Sequence, residues 1–264
     1  MPVIDSLVHV TPDGSWFGTR HDASLGRLLA EMDAGGVDRA VVVALAGHID
    51  NGFVARTCAA HSDRLIPGAS LDPSRAPSPA RAAAMRRELD AEADFAVLKL
   101  HPRLNGYDPL DPRCLALLEA NALCARPLPV WLDTIWRGPG AALSRAPADT
   151  VHELAARFPD TPLVLLHGGG PDLLALADMA GKFPNLTLDL SLTALYYAGS
   201  SLDADIRFAL GRRDRVCVAG SDFPEYTPRE YIARLRTLGR DLEPDKLDNV
   251  LGRTLARLLG LEPA

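Results

Sequence analysis

Seven ionisable side chains stand at or next to the ends of short apolar runs: His9, Lys99, His101, Asp133, His167, Asp189 and Asp222. His9 closes the first such run and Asp222 the last, almost a whole chain apart. An imidazole beside a carboxylate can move protons near neutral pH, and either group can ligate a divalent metal. A lysine among them supplies a positive charge that polarises a carbonyl, or an amine for a Schiff base; the second role is the rarer one. Lys99 stands out because the chain has 28 basic residues and three of them are lysines (Lys99, Lys182, Lys246).

Positioning these groups falls to a regular alternation of elements. Val-, Ile- and Leu-rich runs at 3–10, 39–46, 64–71, 95–101, 128–134, 162–168, 185–191 and 215–222 are each followed by a stretch of helical period, and a last helix is expected over 244–259. Eight such units predict parallel strands with helical crossovers, hence a single (β/α)8 barrel with an additional C-terminal helix, spanning 1–264 as one domain. Closure of that barrel places the first and last strands side by side, with His9 and Asp222 at the C-terminal mouth where such barrels do chemistry. No Gly-x-Gly-x-x-Gly turn follows an early strand, which argues against a dinucleotide fold. Gly168-Gly169-Gly170 is the one glycine cluster, between the sixth strand and its helix.

Strand side chains alternate, so residues two apart share a face. The inward phases expected are Asp5, Leu7 and His9; Val97, Lys99 and His101; Trp131 and Asp133; Leu163, Leu165 and His167; Thr187, Asp189 and Ser191; and Val218, Gly220 and Asp222. A purely structural interior would be filled by branched aliphatics. Burying this many charges costs several kcal/mol unless they pair or bind something, so the pattern points to a polar site.

Composition narrows the partners. A net charge of −6 argues against nucleic acid or an anionic membrane, and a small-molecule substrate is expected instead. No apolar run approaches the roughly 20 residues of a membrane span. The first strand begins about three residues in, too early for a signal peptide. Cys58, Cys114, Cys124 and Cys217 have neither disulfide nor zinc-knuckle spacing. A cytoplasmic protein is expected, and a homodimer is a common state for barrels of this kind.

Taken together, the motifs resemble the amidohydrolase-related family, the branch of TIM-barrel hydrolases that includes aminocarboxymuconate-semialdehyde decarboxylase and several lactone hydrolases. Ile4-Asp5 with His9 is similar to the family's strand-1 Asp-x-His-x-His. Lys99-Leu100-His101-Pro102, Leu166-His167-Gly168-Gly169 and Gly220-Ser221-Asp222-Phe223-Pro224 resemble its endings of strands 4, 6 and 8. The resemblance implies one divalent metal held by two strand-1 histidines, a strand-5 histidine and the strand-8 aspartate, with the strand-6 histidine handling protons. This chain departs twice: Leu7 occupies the first histidine position and Asp133 the strand-5 one.

Leucine cannot ligate. A metal, zinc or manganese, would have to rest on His9, Asp133 and Asp222; the alternative, which the two departures favour, is a site without metal. The resemblance then implies a hydrolase of a small organic acid, lactone or cyclic ester, with Asp222 as base for water, His167 assisting and Lys99 polarising the carbonyl. His101, Arg103, Arg137 and Trp16 are expected to contact substrate. The same residues would serve a non-oxidative decarboxylase, and Leu7 leaves room for a non-catalytic barrel that only binds a metabolite or partner.

Overall fold

The computed structural model describes residues 2–136 and 145–261. Eight parallel strands run in sequence order: β1 Ile4–Val8, β2 Arg39–Val43, β3 Leu65–Ser70, β4 Val97–Leu100, β5 Val130–Asp133, β6 Leu163–Leu166, β7 Leu186–Asp189 and β8 Cys217–Val218. Each lies inside an expected run. The seam between β8 and β1 is closed by main-chain hydrogen bonds from Ser6 N to Ala219 O (2.8 Å), Asp222 N to Leu7 O (3.0 Å) and His9 N to Phe223 O (2.8 Å). The fold is a (β/α)8 barrel.

Helices begin where the sequence offers a cap. Ser24, Asp50, Ser78 and Asp111 accept from amides in the first turns of Leu25–Gly35, Asn51–Ala59, Pro79–Glu92 and Pro112–Ala122. Thr227 and Glu230 form a reciprocal capping box on Pro228–Leu238. The expected last helix is continuous in path but changes pitch: α over Pro244–Asp248, π over Asn249–Arg253 and α again over Thr254–Leu258. Its Leu255 and Ala256 pack with Ile4, Leu7, Val41, Ile66 and Val218 inside the barrel. Among the described residues no helix is long and apolar enough to cross a membrane.

Side-chain phase follows expectation in β4, β5, β7 and β8, where Leu98, Leu132, Leu188 and Cys217 join the outer core beneath the helices. Strand β6 is the exception: Val164 and Leu166 face inward and Leu163 and Leu165 outward. In β1 a register shift between Asp5 and Val8 breaks the alternation. Asp5 turns to the seam, where its Oδ1 accepts from the amides of Leu7 (3.1 Å) and Ser221 (2.9 Å). Burial raises its pKa to about 7 despite those bonds. A carboxyl raised on folding contributes stability that is complete below the unfolded value of about 4 and lost as pH rises towards 7. Asp5→Asn keeps the acceptor and removes the titration. Its urea midpoint is expected to gain on that of the parent between about pH 5 and about pH 8, and identical pH dependence would contradict the assignment.

Candidate active site

A cavity of about 300 Å³ opens at the C-terminal ends of the strands. His9, Lys99, His101, His167 and Asp222 line it with ionisable groups, and Trp16, Phe17, Leu45, Leu104 and Leu192 with apolar surface. Arg103 and Glu225 complete the lining. A wider depression of about 790 Å³ lies at the opposite end, near the starts of β2 and β3. Its polar groups are engaged with the fold: Asp38 accepts from Val3 N at 2.7 Å and Arg64 pairs with Asp33 at 2.9 Å. Five buried groups with displaced pKa values, His9, Lys99, His101, His167 and Asp222, line the smaller cavity together, which is therefore the candidate site.

His9 leaves β1 with Nδ1 2.6 Å from Val43 O. A carbonyl oxygen only accepts, so Nδ1 carries the hydrogen and Nε2 presents its lone pair. Lys99 Nζ meets that lone pair at 3.1 Å, and Asp222 Oδ1 lies 3.9 Å from the same nitrogen. Burial, then the Lys99 charge, hold His9 well below its ordinary pKa, so the ring is neutral. Burial also lowers Lys99, with Asp222 and Asp133 the foremost charges opposing that shift. Asp222 is raised by burial, although His167 and Lys99 pull the other way, which makes it a stronger base than a solvated carboxylate.

Asp133 lies fully buried at the end of β5, with Oδ2 3.2 Å from His167 Nε2, 3.4 Å from His101 Nε2 and 4.0 Å from an Arg103 nitrogen. Burial opposes its charge, yet these cations and imidazoles hold it below the usual carboxylate range. His101 is pushed down to about 3 by burial and is neutral. His167 is raised: burial works against its charge, but Asp222 and then Asp133 outweigh it. The site thus pairs a strengthened base, Asp222, with a histidine, His167, that stays protonated to higher pH than usual and so has a proton to give.

Backbone strain marks the same place. Among the described residues, Phe17, His167, Leu192 and Asp222 are the non-glycine residues with positive φ (45°, 62°, 58° and 60°), and all four line this cavity. Such conformations cost about 1–3 kcal/mol each and persist where surrounding structure enforces them, often at functional sites. For His167 the left-handed turn also explains its direction: it follows a strand whose alternation would not deliver the ring, and the turn swings it into the mouth. Gly168, Gly169 and Gly170 continue with positive φ, supplying the freedom that side-chain-bearing residues lack.

Of the residues expected from sequence, His9, Lys99, His101, His167 and Asp222 meet in the cavity, with Asp133 directly beneath. Trp16 also lines it, its ring stacked on His9 at 5.5 Å and its Nε1 donating to Glu225 Oε1 at 2.6 Å. Arg137 lies outside the described residues. Lys99 pairs with His9 rather than with Asp133 or Asp189, and Asp189 is bonded to Ser6 and Ser191. Glu225, Phe17 and Leu192 were not anticipated. They belong to loops, and only the acidic character of Glu225, directly after Pro224 and three residues past Asp222, could have drawn attention to it.

The implied metal does not fit these residues. His9 offers its lone pair to Lys99, Leu7 packs in the barrel interior, and Asp133 is turned to His101 and His167 and away from His9. Among the described residues no three His, Cys, Asp or Glu side chains are grouped to hold a metal ion.

The comparisons agree with this architecture. No curated protein matches the chain by sequence. An uncharacterised TIM-barrel protein from Bordetella bronchiseptica superposes with a TM-score of 0.79 at 22% identity, covering 98% of this chain and 99% of that one. A probable 2-pyrone-4,6-dicarboxylic acid hydrolase from Acinetobacter baumannii, solved with citric acid, superposes at 0.67 with 17% identity, covering 98% and 100%. A 5-carboxyvanillate decarboxylase from Novosphingobium aromaticivorans, solved with manganese and a nitrobenzoic acid, superposes at 0.68 with 13% identity, covering 98% and 96%. These likenesses establish the shared barrel. The amidohydrolase family model matches residues 4–261, nearly the whole chain, and the protein belongs to the amidohydrolase family.

Proposed function

We propose that the protein is a hydrolase of a small lactone, cyclic ester or related organic acid, working with an internal ammonium in place of a metal ion. The observation that carries this reading is the contact of Lys99 Nζ with the lone pair of His9 at 3.1 Å, beside Asp222. A buried cation held there is preorganised to stabilise negative charge developing on a carbonyl oxygen. Asp222, its basicity raised by burial, takes a proton from water. The resulting hydroxide adds to the carbonyl carbon, and collapse of the tetrahedral species breaks the acyl carbon–oxygen bond. His167 gives its Nε2 proton to the leaving oxygen; transfer of the water proton from Asp222 back to His167 resets the site. A cavity of about 300 Å³ with one apolar wall and one cationic wall suits a compact ring bearing a carboxylate, which Arg103 and His101 would receive at the rim.

Decarboxylation is the second reading, favoured by the elevated pKa of His167: an imidazolium at the cavity floor can protonate the carbanion left as carbon dioxide departs. Several decarboxylases share the barrel. The two are separated by incubating the protein with a panel of lactones and aromatic or β-keto acids. Hydrolysis releases acid without gas, titratable at constant pH; decarboxylation releases carbon dioxide and consumes a proton. Acid release lost in Asp222→Asn is expected. Gas release, or no turnover of any member by protein that binds it, would overturn the hydrolase reading.

A further inference from the structure

The imidazole of His167 is gripped from behind by the end of β7. Ser191 Oγ lies 3.0 Å from Nδ1, and Ser191 O lies 3.4 Å from the same nitrogen. Because a carbonyl oxygen can only accept, Nδ1 is the donor. Ser191 has one hydroxyl proton, and it is directed to Asp189 Oδ1. The other Asp189 oxygen accepts from Ser6 Oγ, while the amides of Ser191 (2.9 Å) and His167 (3.3 Å) also point to Oδ1. Asp189 is therefore an acceptor at each of these contacts. Proton counting then gives the chain one direction: His167 Nδ1–H to Ser191 Oγ, and Ser191 Oγ–H to Asp189. Thr193 Oγ1 donates to His167 O at 2.6 Å and holds the main chain in the left-handed turn.

We propose that Ser191 and Asp189 are positioning residues that keep Nδ1 of His167 permanently protonated, so that Nε2 alone exchanges protons with the cavity. Asp133 faces Nε2 at 3.2 Å and favours a proton there, so with Nδ1–H fixed by Ser191 the ring is held as the imidazolium, and Nε2 is the nitrogen whose proton can leave. Neither Ser191 nor Asp189 need touch substrate, since both are fully buried behind the ring. Their effect is to select which ring nitrogen works, as the orienting group of a catalytic triad does for its histidine. The inference rests on His167 as the proton donor of the proposed reaction, but its test does not require turnover.

The test is ¹⁵N NMR of the intact protein labelled at its seven histidines, with His167 assigned by its loss in His167→Asn. Nδ1 of His167 is expected to show the shift of a protonated nitrogen across the pH range in which the fold persists. Ser191→Ala is expected to let the ring populate the other tautomer, and to lower kcat about tenfold to a hundredfold with KM within about twofold, a part of what positioned proton transfer supplies. An Nδ1 shift unchanged in Ser191→Ala overturns the proposal. Should that variant not fold, Asp189→Asn, of matched shape, is expected to move the Nδ1 proton resonance upfield, and no movement overturns it equally. A tautomer change without loss of turnover upholds the positioning role and refutes His167 as the proton donor.

Discussion

Asp222→Asn is expected to lower kcat on the order of 10³-fold with the fold intact, the scale of losing a positioned general base. The amide keeps the shape of the carboxylate and cannot take a proton from water. Asp222 sits with left-handed φ at the end of β8, and its amide donates to Leu7 O across the barrel seam. That backbone contact survives the substitution, so circular dichroism and thermal unfolding are expected to match the parent closely. The parent's rate should rise with pH along a limb above the ordinary carboxylate range, because burial raises Asp222. It should fall again on a second limb above the usual histidine value, as His167 loses its proton. A bell without the acid limb in Asp222→Asn is the kinetic check; a full-rate Asn variant would remove Asp222 from the chemistry.

Lys99→Met is expected to cost about 10²–10³-fold in kcat, the range found when one preorganised stabiliser of an oxyanion is removed. Methionine fills much of the same volume, but the variant leaves Asp222 and Asp133 without a nearby buried cation, which costs stability. Thermal unfolding is therefore read beside kcat, and the rate is compared at a temperature where the variant is folded. A second readout follows from the geometry: without the ammonium 3.1 Å from its Nε2, His9 loses the charge that helps to hold its pKa down, and should titrate at higher pH in the variant. An unchanged His9 titration would mean that the two groups do not interact in solution.

The barrel was legible because its signal is periodic. Each strand falls within an apolar run, and the polar ends of β4, β5, β7 and β8 follow simple alternation. His167 reached the predicted place by a different route, since β6 has the opposite phase and a left-handed turn restores the ring to the mouth. Backbone inversions of that kind leave no periodic trace; only the glycines after His167 hint at one. The pairings were less legible than the positions. Lys99 could have met Asp133 or Asp189 on charge alone, yet it meets a neutral imidazole, because Val43 O fixes the His9 tautomer. Asp189 is an acceptor for two serine hydroxyls and two amides and makes no ion pair with Lys99. Such choices are made by neighbours from distant strands. Glu225 and Phe17 belong to loops whose course depends on closure of the barrel.

The central claim is that the positive charge of this site is covalently built in, at Lys99. Elemental analysis of purified active protein, with activity followed before and after exhaustive chelation, tests it most directly. Metal well below one ion per chain and turnover that survives the chelator are predicted. One tightly held divalent ion per chain, with activity lost on its removal and regained on its return, would contradict the claim.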